Sequence, residues 1–432
     1  MIFESFFSAH STVLWATFGI AFILGAVVHK TNFCTMGAVS DMVNIGDSGR
    51  IRAWLFAIAV AMIGVAVMEA TGVASMDSTL PPYRGSTLVW GEYILGGLMF
   101  GVGMTMGSGC ANKTLIRMGG GNLKSIIVFS VIAVIAFYML NPFPDSDQTL
   151  FSLLFEPWTR ATVDGEITSP LTASLSTKQD LGSLFGPLLS MDTATARLWI
   201  GAVLGGLLVL FAIKSSDFRG SFDNILGGLV VGAAVLGIWY VTAHLVNIDA
   251  DGESMSWSQY ASAENWDLNE DDSDTRPRDA GVQSLTFINP TGQAMRLVYK
   301  DFDFAYLTVG LVALFGVIVG SFFWALISRS FRFEWFVDIK DFLNHVLGGT
   351  LMGFGGVLAL GCTIGQGITG VSTLALGSFM ALASIVFGSA MTMKIQYYKM
   401  VYEDEATFFR SFVTALADFR LLPGGMRRLE AI

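Results

Sequence analysis

Ile94-Leu-Gly-Gly-Leu98, Gly101 and Gly107-Ser-Gly-Cys110 are echoed by Val346-Leu-Gly-Gly-Thr350, Gly353 and Ala359-Leu-Gly-Cys362. The spacing from the paired glycines to the cysteine is identical in both stretches. A third copy of the glycine pattern, Ile225-Leu-Gly-Gly-Leu229 followed by Gly232, places Val241 at the cysteine position, between Tyr240 and Thr242. A looser fourth copy runs from Gly25 to Cys34. Each unit begins as an apolar helix with a small-residue face and ends in a Gly-rich piece too short to cross a bilayer. Small residues at fixed spacing let helix backbones approach closely in lipid. Recurrence at one period is the signature of an internal repeat.

Around these units the chain reads as all-α and polytopic. It has 432 residues, 53% of them hydrophobic and only 14% charged, with 48 Gly and 10 Pro. A soluble domain carries about 25% charged residues, so the composition excludes an ordinary soluble enzyme. Nine apolar spans stand out, each near the roughly 20 residues needed to cross. They cover 12–29, 52–75, 88–108, 123–141, 196–213, 223–247, 304–328, 343–361 and 373–395. The cysteine-bearing pieces follow the first, third and eighth spans and predict short re-entrant helices.

Orientation follows from Lys and Arg in the short connections. Lys30, Arg50, Arg52, Lys113, Arg117, Lys124, Lys214, Arg219, Arg329, Arg332 and Lys340 fall on one side. The polar stretch 142–195 and the acidic stretch 248–303 fall on the other. The N-terminus is then outside and the tail inside, in a bacterial inner membrane. Units one and two run opposite to units three and four, giving an inverted-topology repeat with its site expected near the midplane. The divisions are 1–141 for the first membrane repeat, and 142–221 for a polar outer loop and linking helix. The second repeat, with its acidic insertion at 248–303, spans 222–396, and 397–432 forms an amphipathic cytoplasmic tail.

The chemistry is read from the dips. Irregular backbone survives at membrane depth only where it is buried or lines a cavity. Helix starts near the cysteines would aim free amides and a positive dipole end at that cavity. No carboxylate lies close to Cys34, Cys110 or Cys362 in the sequence, which favours an anionic or neutral substrate. Sulfur is a soft partner and S–H a weak donor, suited to a path whose sites must release what they bind. Asn32, Thr35, Ser108, Asn112, Thr363 and Gln366 are candidate neutral partners along the path, or satisfy backbone at helix breaks. Lys113 reads first as a positive-side anchor, with a place inside the mouth as the alternative. Three cysteines so widely spaced make neither a disulfide framework nor a structural zinc site. His29, His244 and His345 are isolated, so no metal is expected, and no cofactor motif or nucleic-acid-binding patch is present. Trp15, Trp90 and Trp335 read as interface anchors.

Asn32-Phe-Cys-Thr-Met-Gly-Ala-Val-Ser-Asp41, Gly107-Ser-Gly-Cys-Ala-Asn-Lys-Thr114 and Leu360-Gly-Cys-Thr-Ile-Gly-Gln-Gly367 resemble the YeeE/YedE family of sulphur-transport membrane proteins. The resemblance implies uptake of thiosulfate or a related sulfur anion, passed along Cys34, Cys110 and Cys362 by hydrogen bonding without a covalent step. It also implies work beside a small cytoplasmic sulfur-carrier protein. The alternative function for the same cysteines is a membrane thiol-disulfide or sulfur-transfer enzyme.

Overall fold

The computed structural model describes residues 1–163, 166–250, 253–262, 266, 279–303 and 306–430. Most of the acidic run inside 248–303 therefore lies outside the described residues, as do 304 and 305 of the seventh span. The frame is helical: α1 (Phe6–Thr31), α2 (Thr35–Ser40), α3 (Gly49–Ala70), α4 (Trp90–Met106), α5 (Ala111–Gly119) and α6 (Leu123–Leu140) form the first half. A linking helix, α7 (Thr193–Ile213), joins it to α8 (Phe222–Tyr240), α9 (Ile288–Tyr299), α10 (Val309–Ile327), α11 (Ile339–Leu358) and α12 (Leu376–Tyr402). The amphipathic helix α13 (Phe408–Asp418) closes the chain, with Ser411, Thr414 and Ala415 buried and Phe408 and Phe409 exposed.

Each of the nine expected spans contains a long helix among the described residues. Among the described residues, eight helices are long and apolar enough to cross a membrane. The ninth, α11, carries Lys340, Asp341 and His345 in its first turns, which dilutes its apolarity. It nevertheless packs in the middle of the bundle, against α4 and α6.

Helix pairing obeys a two-fold exchange between halves. α1 packs on α10 as α8 packs on α3, and α4 packs on α12 as α11 packs on α6. α4 and α11 contact each other directly, as do α1 and α8. Four crossings (α3, α4, α6 and α7) separate α1 from α8, so the two run in opposite senses. The internal repeat is therefore inverted.

The paired glycines set these crossings. A Cβ on Gly103 would stand 2.7 Å from the Gly348 carbonyl, and one on Gly355 would stand 2.5 Å from that of Gly96. Backbone thus lies on backbone where α4 crosses α11. The second glycine of each pair turns outward in matching fashion. Gly97 meets Ala381 and Ser384 of α12, whereas Gly349 meets Val128 and Val131 of α6. With lipid tails as apolar as leucine, such close packing and its dispersion contacts hold helices together.

Candidate functional site

Each cysteine follows a helix break made the same way. Asn32, Ser108 and Leu360 each stand two residues before a cysteine, and each adopts left-handed backbone, with φ of 51°, 58° and 57°. The left-handed region costs an L-residue roughly 1–2 kcal/mol. Strain of this kind persists where surrounding structure enforces it, commonly at functional sites. The chain then runs extended at Cys34 and Cys110, and a new helix starts at the next residue. After Cys362 the helix spans 363–372, widened into a π-helical stretch at Gly365–Gly370. Cysteine therefore sits at the N-cap in all three units. Cys34 Sγ accepts from the Gly37 amide at 3.5 Å and Cys362 Sγ from the Gly365 amide at 3.4 Å.

The fourth unit differs. Val241 continues α8 into a π-helical turn ending at Leu245, so the expected break at Val241 is absent. The short helix comes more than forty residues later, as α9, inside the stretch read as acidic insertion. The packing makes α9 the counterpart of α2: α9 lies on α6 as α2 lies on α12. Its N-cap is Phe287. Cys110 and Cys362 are thus two-fold mates, and the mate of Cys34 is Phe287. Counting residues from Gly232 fails because the insertion separates the long helix from its short partner. Thr242, next to Val241, instead pins the returning chain, exchanging bonds with the Gln283 carbonyl and amide at 2.8 and 3.2 Å.

The starts of the short helices meet at the centre. All three thiols are free and buried. Cys34 and Cys110 face each other thiol to thiol, and Cys110 also faces Thr363. The Cys362 sulfur faces the amides of Phe287, Ile364 and Gly365. Asn112 Oδ1 and Thr363 Oγ1 are buried without a regular hydrogen bond among the described residues. Thr35 is buried beside Cys34, and Ser108 lines the cavity described below. Gln366 is committed to structure, since its Nε2 donates to the Ala359 carbonyl and its Oε1 accepts from Ser378, at 2.5 and 2.6 Å.

A cavity of ≈960 Å³ opens from the basic end of the bundle down to Cys34. Lys30, Arg50, Lys113, Arg117, Arg329 and Arg332 line it, with Glu334 as its acidic member. Arg332 pairs with Glu334, Lys30 with Asp223, and Arg50 with Asp41. Lys113 instead donates to Asn32 Oδ1 at 3.0 Å, beside the two thiols. It is a lining cation inside the mouth, the alternative that its sequence left open. No cluster of His, Cys, Asp and Glu able to hold a metal occurs among the described residues.

The opposite end is closed over Cys362. Tyr83, in the loop after α3, is buried and donates its hydroxyl to the Gly365 carbonyl at 2.9 Å. Arg84 is fully buried, bonds Glu69 at 2.5 and 2.8 Å, and donates to the Thr373 carbonyl at 2.8 Å. Beneath this strap lies a smaller cavity of ≈220 Å³, reaching Thr286, Ile288 and Gly361. Thr286 and Tyr83 escaped the sequence reading because neither sits at a repeat position. Pro290 in the first turn of α9 was a signal for a helix start nearby, but nothing in the sequence marked the Thr286 hydroxyl or Tyr83.

Residues 30–391 match the model of a family described as Sulphur transport, and the chain belongs to that family. It is 26% identical over 370 residues to the thiosulfate transporter TsuA of Escherichia coli K12, covering 85% of this chain and 90% of that protein. It is 24% identical over 380 residues to the thiosulfate transporter TsuA of Spirochaeta thermophila, covering 87% and 97%. Both relatives carry the names of transporters.

Proposed function

We propose that this member of the sulphur-transport family carries thiosulfate, or a closely related sulfur anion, through the membrane along its three cysteines. The observation that carries the proposal is the meeting of Cys34, Cys110 and Thr363 where short helices start, with no carboxylate beside the three thiols among the described residues. Helix starts attract anions. The thiols and the buried Asn112 and Thr363 oxygens offer several weak partners, and weak successive sites favour passage over retention. Thr35 and Ser108 flank the same route. Asn32 acts through Lys113, and Gln366 serves as a brace. Lys113 adds the charge that draws an anion to the Cys34 end.

The basic end faces the cytoplasm in this reading, following the bias of Lys and Arg. The N-terminus is then outside, the C-terminal tail inside, and the membrane is the inner membrane of a bacterium. A small cytoplasmic sulfur-carrier protein would collect the anion at the basic cavity. The four divisions of the chain follow the same scheme: repeat 1–141, link 142–221, repeat 222–396 and tail 397–432.

The test is uptake of labelled thiosulfate, sulfite, sulfide and sulfate into vesicles holding the purified protein. Thiosulfate should enter fastest, and Cys→Ser at 34, 110 or 362 should slow it at least tenfold while the fold survives. Full uptake by all three single variants would sink the cysteine path. The contact between Cys34 and Cys110 is the one feature that suits a thiol-disulfide enzyme instead. Mass spectrometry after turnover separates the two, because a path without a covalent step leaves no persulfide or disulfide.

A further inference from the structure

The fourth repeat unit contains an orphan. Thr286 Oγ1 is buried, with the residue 7% exposed, and has no hydrogen-bond partner among the described residues. It lies over Gly365, only 2.5 Å from where a Cβ on that glycine would stand. Thr286 thus sits between the starts of two short helices, one belonging to Cys362 and one being α9.

α9 begins uncapped. Phe287 replaces the sulfur that caps α2, and its side chain makes no capping hydrogen bond. The first amides of any helix lack intrahelical partners, and together they form a positive end. The ≈220 Å³ cavity borders Thr286, Ile288 and Asn289 on this side and reaches Gly361, next to Cys362. Water occupies about 30 Å³ per molecule in the liquid, so a small tetrahedral anion fits there with waters beside it. Asp279 is the one titratable group on the described lining, and its Oδ2 accepts from Gln293 Nε2 at 2.6 Å. Its place on the same lining opposes anion binding and would weaken the hold of the site on an ion.

We infer that the fourth unit supplies a further subsite for a small divalent oxyanion, in which the Thr286 hydroxyl and the amides of Ile288 and Asn289, the two donors left in a first turn that contains Pro290, hold the ion before Cys362. The inference rests on the transport reading above and extends it beyond the cysteines. It also gives the cysteine-free unit a role equivalent to that of its mates.

The experiment measures labelled thiosulfate uptake in intact cells expressing the full chain or its T286S, T286V, T286C and D279N variants. T286S should behave as the parent. T286V should raise KM about tenfold, the loss expected for one hydrogen bond to a charged group. D279N should lower KM. T286C should gain inhibition by a membrane-impermeant methanethiosulfonate reagent, measured against the parent, and added thiosulfate should protect it. A parent that carries no thiosulfate overturns the transport reading and this subsite with it. An active parent whose T286V variant keeps the parental KM overturns the subsite alone. Should T286V fail to fold, T286C decides, and reagent sensitivity no greater than the parent's overturns the subsite.

Discussion

Lys113 Nζ donates to Asn32 Oδ1 at 3.0 Å, tying the second dip to the left-handed residue that breaks the first helix. The bond spans two units of the repeat and holds a cation beside Cys34 and Cys110. No carboxylate is paired with Lys113 among the described residues. Two unit charges about 4 Å apart interact by roughly 1–4 kcal/mol in water-like to surface-like dielectric. Lys113→Met should therefore raise the KM for thiosulfate by about tenfold or more, and Lys113→Arg should recover part of the loss. Uptake kinetics at two salt concentrations check this. A KM unchanged in Lys113→Met would reduce Lys113 to an anchor.

Gly365 lies beneath Thr286, and its carbonyl accepts the Tyr83 hydroxyl. Gly365→Ala would push a methyl into Thr286 Oγ1, which cannot retreat far because the flanking Leu285 carbonyl is held by Thr369 at 2.7 Å. Overpacking a tight interior costs about 1–3 kcal/mol. The expected result is a lower melting temperature in detergent together with slower uptake. The half-buried Gly206, where a Cβ meets nothing within 4 Å, should tolerate alanine without either effect. Equal melting temperatures for the two variants would count against the packing argument.

How much of this could be read from the sequence depended on where the repeat stayed in register. Gly96, Gly97, Gly348 and Gly349 marked the crossings because a glycine is required wherever two backbones touch, and its spacing is preserved with the helix. Cys34, Cys110 and Cys362 were legible for the same reason, each two residues beyond a left-handed break. Val241 misled because the insertion after α8 moved the short helix away while leaving the glycine pattern intact. Lys113 was ambiguous, since a lysine at a helix end looks the same whether its ammonium meets solvent or turns toward Cys34. Thr286 was invisible: an unbonded hydroxyl is a property of three-dimensional neighbours and leaves no periodic trace.

Asp180 anchors the strap at the end opposite the basic cavity. Arg197 bonds both of its oxygens, at 2.9 and 2.8 Å, and Ser183 donates to it at 2.7 Å. Burial alone would raise its pKa, but the Arg197 and Ser183 hydrogen bonds and the Arg84 charge outweigh burial and bring it down to about 2. A depressed folded value means that this stabilisation is complete above the unfolded carboxyl value of about 3.9 and is lost as pH falls from there toward 2. Asp180→Asn leaves a buried guanidinium without its main partner, a change that costs about 3–5 kcal/mol at neutral pH. Thermal unfolding in detergent between pH 7 and pH 3 checks the sign. The gap between parent and Asp180→Asn should hold down to about pH 4 and narrow below it, whereas a gap that widens in acid contradicts the assignment.

The two ends of the path differ in closure, and the thiols should report it in order. Cys34 lines the basic cavity and is 7% exposed, Cys110 lies behind it at 1%, and Cys362 is sealed at 0% under Tyr83 and its neighbours. A small methanethiosulfonate reagent reaching the basic face of inverted vesicles should therefore modify Cys34 first, Cys110 next and Cys362 last. Substituting Cys34 by serine should remove the fast phase and leave the slower two. Thiosulfate should slow every phase by occupying the route. Tyr83→Ala removes the ring that covers Gly365 and should speed labelling of Cys362 from the opposite face, without changing the rate at Cys34. Fast labelling of Cys362 in the parent from either face would mean that the strap does not close the path.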